Sequence, residues 1–88
     1  MSTESHVIVA VHISDRTKLV QEVQNVLSQF GCSIKTRLGL HEASADYCST
    51  KGVIILELIG GAAKAKELTD KLDAIYGVET KTVVFSHD

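Results

Sequence analysis

Hydrophobic residues alternate from His6 to Ile13, HVIVAVHI, with Val7, Val9, Val11 and Ile13 sharing one side and His6, Ile8, Ala10 and His12 the other. This pattern predicts a first strand. Ser14 and Asp15 then offer a helix N-cap, and Leu19, Val20, Val23, Val26, Leu27 and Phe30 recur at helical spacing until Gly31 supplies a stop. A first helix follows. From Cys32 to Leu40 the residues Cys32, Ile34, Thr36, Leu38 and Leu40 alternate with Ser33, Lys35, Arg37 and Gly39, which predicts a half-exposed second strand with one side largely apolar. Val53 to Ile59, VIILELI, is an almost unbroken apolar run suited to a central third strand, and Glu57 is its exception. After Gly60 and Gly61, the residues Ala62, Ala65, Leu68, Leu72 and Ile75 mark a second helix, with Glu67 four residues before Lys71 for surface support. Gly77 ends it. Val78 to Phe85 forms a last strand whose facing stays open, because both Val78/Thr80/Thr82/Val84 and Val83/Phe85 could point inward.

Strand, helix, strand, strand, helix, strand is the split βαβ unit repeated twice. Right-handed crossovers convert that order into an α+β ferredoxin-like sandwich, with a four-stranded antiparallel sheet in the order 4-1-3-2 and both helices on one face. At 88 residues the chain has room for one domain, spanning 1–88, with residues 1–5 expected to lie outside the ordered part.

Helices cover only one face of such a sheet, so the other face is where binding is expected. If Ile54, Leu56 and Leu58 point to the helices, then Val53, Ile55, Glu57 and Ile59 point away, joined by Ile8 and Ala10 between His6 and His12. Exposed apolar area on two central strands points to an interface, and a second copy packed sheet to sheet or edge to edge is the expected occupant. A dimer or tetramer would satisfy it. Glu57 and His12 are expected as neighbours on this face, forming either a polar spot for a ligand or an ion pair inside the interface.

Composition narrows the function classes. With 44% hydrophobic and 23% charged residues the chain reads as a folded globular protein, and a formal charge of −2 gives no field to draw in nucleic acid. No run is long enough for a membrane span, and MSTESHVIVAVHI lacks the features of a signal peptide, so the cytoplasm is expected. The two cysteines are too few for a disulfide framework, and Cys32 is expected as a small core residue. No CxxC follows the first strand, no glycine-rich anion-binding turn stands there, and no aromatics on the central strands offer base stacking. Dinucleotide-binding, Walker and nucleophile-elbow motifs are absent as well.

The linker His41 to Gly52, HEASADYCSTKG, is long for a hairpin connection that usually needs two to five residues. It is expected to act as an oligomer arm or ligand flap, with Tyr47 as its anchor. A metal-responsive alternative, binding nickel, zinc or iron, would draw ligands from His6, His12, His41, Cys48 and His87, although His41 and Cys48 match no common site spacing. Catalytic pairs reduce to Cys48 with His41 or Glu57 with His12, neither supported by a motif, so no enzyme and no cofactor is expected.

The stretch DRTKLVQEVQNVLSQFGCSI, Asp15 to Ile34, resembles the first turn and helix of ACT regulatory domains, where an AspArgProGly turn leads into the helix. Thr17 and Lys18 stand here in place of proline and glycine. Over nearly the whole chain, the step Arg37-Leu38-Gly39, the strand GVIILELIG, the segment KLDAIYGV, and Gly77-Val78 followed by Lys81-Thr82 resemble the iron-only hydrogenase system regulators, small proteins of ACT-like fold. This chain departs from them in the hairpin, with LeuHisGlu and a longer linker where they continue into proline. The resemblance implies regulation linked to hydrogen metabolism, and the ACT-like fold together with the apolar open face leads to the expectation of a non-enzymatic, homo-oligomeric module that takes a small-molecule effector or contacts another protein at a subunit interface. Ser14, Asp15 and Lys18 at the first turn, together with His12, Glu57, Arg37 and Tyr47, are the ligand-binding or interface candidates.

Overall fold

In the computed structural model, residues 6–43 and 48–85 are described, with their side chains except at 16–18 and 40–51. The chain runs β1 (His6–Ile13), α1 (Arg16–Gln29), a short 3-10 turn (Gly31–Ser33), β2 (Ile34–Ala43), β3 (Cys48–Leu58), α2 (Gly61–Asp73) and β4 (Val78–Phe85). The strands form one antiparallel sheet in the order β2-β3-β1-β4, which is the predicted ferredoxin-like topology.

The core lies between the sheet and the two helices. Val7, Val9, Val11 and Ile13 of β1 and Ile54, Leu56 and Leu58 of β3 meet Val23, Leu27 and Phe30 from α1 and Ala65, Leu68 and Leu72 from α2. Strand alternation therefore sends every second residue of the two central strands into the core, as the sequence predicts. Val20 and Ala62, although in phase with the helical pattern, stay exposed at the margins of their stripes. Asp15 takes the N-cap position of α1, since its carbonyl accepts the Leu19 amide at 3.0 Å. On β4 the facing resolves: Val78 and Thr80 turn to the helices, while Val83 stands opposite Ile8 on the open face.

Three expectations are corrected. The second strand starts at Ile34, because the chain first makes the 3-10 turn, and Cys32 in that turn is exposed instead of buried. A bulge between Ile34 and Thr36 then reverses the facing of β2. Ile34 pairs with Leu58 and packs on the core, but Leu38 pairs with Ile55 and is 54% exposed on the open face, so the apolar set is split between two faces. The linker 41–52 is not a long loop: β2 continues to Ala43 and β3 begins at Cys48, leaving 44–47 between them. A four-residue connection is ordinary for a hairpin. Because β1 ends where Ile13 faces Gly52, the hairpin extends past the four-stranded part of the sheet as a two-stranded arm.

Candidate functional site

Pairing registers arrange the open face in rows. Thr36, Glu57, Ile8 and Val83 form one row across β2, β3, β1 and β4; Leu38, Ile55, Ala10 and Lys81 form the next; and Val53, His12 and Glu79 belong to a third. His6 and Phe85 continue the face at the other end. Its centre is thus apolar, and among the described residues no helix covers it.

Glu57 is the hub of the polar cluster. Its carboxylate accepts the Thr36 hydroxyl at 3.0 Å, and its second oxygen lies 2.9 Å from His6 Nε2 and 3.8 Å from Lys35 Nζ. The bulge brings Lys35 and Thr36 to this acid, and His6 reaches it diagonally because Ile8, two residues on, stands directly opposite Glu57. Donation by the Thr36 hydroxyl, then by His6, holds the Glu57 carboxyl below its ordinary pKa, with the nearby Lys35 charge assisting. The arrangement keeps a carboxylate charged beside an apolar surface.

The expected Glu57–His12 pair does not form. His12 stands opposite Val53 and Glu79, four residues along β1 from Ile8, a spacing of about 13 Å along a strand. The alternation of β2 does not predict Lys35 and Thr36 as partners, because it carries no sign of the bulge between Ile34 and Thr36. His6 is foreseeable only once the β1–β3 register is known.

The first-turn candidates lie at the far end of β1. The Ser14 amide donates to the Gly77 carbonyl at 2.9 Å, tying this turn to the one before β4. Gly77 has φ of +92°, and a Cβ there would come 2.7 Å from Ser14 Oγ and 2.8 Å from a Leu19 methyl. The turn is closely packed by backbone approach. Arg37, on the helix side of β2, donates to Gln24 of α1 at 2.8 Å and so joins neither this turn nor the Glu57 cluster. Tyr47 and His87 fall outside the described residues, as do the side chains of Lys18, His41 and Cys48. Among the described residues no group of three His, Cys, Asp or Glu side chains could hold a metal ion, and no helix is long and apolar enough to cross a membrane.

On the helix layer, a cleft of about 340 Å³ opens between the end of α1 and α2, lined by Phe30, Cys32, Ser33, Lys64 and Lys71 among others. Both ammonium groups sit over the Phe30 ring, at 5.9 and 5.7 Å from its centroid. Lys71 also donates to Gln29 at 2.9 Å, and Glu67 pairs with Lys64 at 3.1 Å instead of with Lys71 as its spacing suggests.

No family model matches the chain, and no curated protein does. Among solved structures it is similar to an uncharacterised protein from Thermotoga maritima, 28% identical, with TM-score 0.75 over 92% of this chain and 98% of that one. It is also similar to CPII, a nitrogen regulatory PII-like protein from Thiomonas intermedia K12, in a structure bound to ADP, AMP and bicarbonate. That match has 7% identity and TM-score 0.55 over 94% of this chain and 90% of the other. A second CPII structure, bound to ADP, AMP and acetate, matches at 7% identity and TM-score 0.54 over 99% and 94%. At 7% identity the PII-like likeness is one of fold.

Proposed function

We propose that this chain is a non-enzymatic regulatory module that assembles with copies of itself through its open sheet face and takes a small effector where subunits meet. The observation that carries this reading is the uncovered apolar centre of the face, Leu38, Ile55, Ile8, Ala10 and Val83, bordered by the Glu57 cluster. Its size is adequate. Strands of eight residues at about 3.3 Å and four strands at about 4.8 Å give roughly 500 Å², or about 1,000 Å² over two copies, the lower bound for a specific interface. The polar border also suits burial, because Glu57 already has partners on its own chain and would not enter the interface as a lone charge.

Effector candidates are the Glu57 cluster and the first turn, Ser14, Asp15 and Lys18, at opposite ends of β1. Adenine nucleotides are the first class to screen, on the strength of the fold shared with CPII. The resemblance to iron-only hydrogenase system regulators supports a target in hydrogen metabolism, and the two-stranded arm of β2 and β3 is the proposed protein contact. Sedimentation at micromolar concentration, with and without ADP, tests the reading. An oligomer is expected; a monomer under both conditions would overturn it.

A further inference from the structure

The two edges of the sheet are built differently. On β2 the edge is interrupted by bulges at Ile34/Thr36 and His41/Ala43 and carries Lys35 and Arg37, devices that discourage strand addition. β4 has none of them over its last residues: its pairing with β1 runs unbroken from Val78 to Phe85. The first half of its outer edge is nevertheless closed. The Val78 amide donates to the Ile75 carbonyl at 3.0 Å, and the Thr80 amide to Asp73 Oδ1 at 2.9 Å, so residues 78 and 80 direct their amides away from β1. By strand alternation Thr82 and Val84 direct theirs outward too, and no described residue caps them.

This uncapped half is apolar on both sides. Val83 and Phe85 on the open face are 48% and 58% exposed, and Val84 on the helix side is 45% exposed. A helix or a flat surface would cover one side only. An added strand covers both and supplies the missing hydrogen bonds.

We infer that β4 is a second self-association surface, on which the β4 of another copy pairs antiparallel across a two-fold axis at Val83. In this register Thr82 faces the partner subunit's Val84 as a hydrogen-bonded pair, Val83 faces the partner's Val83, and Lys81 lies beside the partner's Phe85. The uncapped amides are used and no like charges meet. Sliding the pair by one step toward the start of β4 would require the Thr80 amide, which Asp73 holds, and would set Phe85 opposite the partner's Glu79. A further step sets Lys81 against the partner's Lys81. Charge and hydrogen bonding thus disfavour every slide toward the start of β4, and the occupant they fit is a second copy of this chain.

The edge contact shares the Val83 side chain with the open face but adds the outer backbone of β4 and Val84, and its test reads register directly. In a background carrying C32S and C48S, Val83→Cys is placed on the two-fold axis as a non-hydrogen-bonded pair, about 4.5 Å between Cα atoms, which a disulfide spans. The expected result under mild oxidation is a reducible dimer for V83C and none for T82C, whose two copies are offset. A second variant, Val84→Lys, places a charge at the edge and is expected to lower the mass seen in sedimentation while circular dichroism stays unchanged. Cross-linking by T82C in preference to V83C, or no cross-link from either with the V84K mass unchanged, would overturn the edge proposal. Either outcome leaves association through the open face to be judged by its own measurement.

Discussion

At the scale of single residues, two positions carry the sharpest consequences. Gly77 combines a left-handed backbone with the close approach of Ser14 and Leu19, so Gly77→Ala adds both a conformational penalty and a clash. A loss of about 2 kcal/mol or more is expected, readable as a lower denaturation midpoint with an unchanged slope. Glu57 makes the second case. Its folded pKa lies below its unfolded value, so its contribution is present above the unfolded value and is lost as pH falls through the folded one. Thermal melts should show the parent losing stability on acidification and Glu57→Gln losing less; parallel profiles would mean that the cluster contributes nothing. Sequence singled out Glu57 because one acid interrupts an apolar strand, but it named the wrong histidine. Which histidine meets an acid across two strands depends on register, and a shift of a few residues exchanges His12 for His6.

At the scale of elements, both helices and the core faces of β1 and β3 were legible, because their periodicities are undisturbed over several turns or pairs. The misreadings cluster on β2. One extra residue in the bulge inverts every side chain beyond it, so an alternation that looks continuous in sequence serves both faces in the fold. Similarly, HEASADYCSTKG reads as a loop in sequence because its polar residues conceal two strand ends that, among the described residues, pair with each other. The α2–β4 junction shows a device that sequence does not advertise. Asp73 receives both the amide and the hydroxyl of Thr80, at 2.9 and 3.0 Å, fixing where β4 begins. Asp73→Ala is expected to cost about 1 kcal/mol, the usual net worth of such bonds at an exposed position. Hydrogen exchange should locate the effect, with faster exchange at Thr80 than in the centre of β1.

At the scale of the whole molecule, the helices and one sheet face account for the core, and what remains apolar lies on surfaces that a single copy leaves open. Ile55 sits at the middle of that area, between Leu38 and Ala10 on the open face of a central strand. Within one copy its side chain faces solvent in part, so Ile55→Lys should change the stability of the isolated fold by only about 1 kcal/mol or less. Across an interface the same change would bury an unpaired ammonium group, a much larger penalty. The variant should therefore keep its fold while its sedimenting mass falls at concentrations where the parent is assembled. V83C should still cross-link in the Ile55→Lys background, because the edge contact is held by the outer backbone of β4 and Val84, which the open-face association does not use. If the lysine abolishes the cross-link as well as lowering the mass, the two surfaces are not independent. Association through the face would then be a precondition of contact along the edge, and the edge would fail as a separate interface.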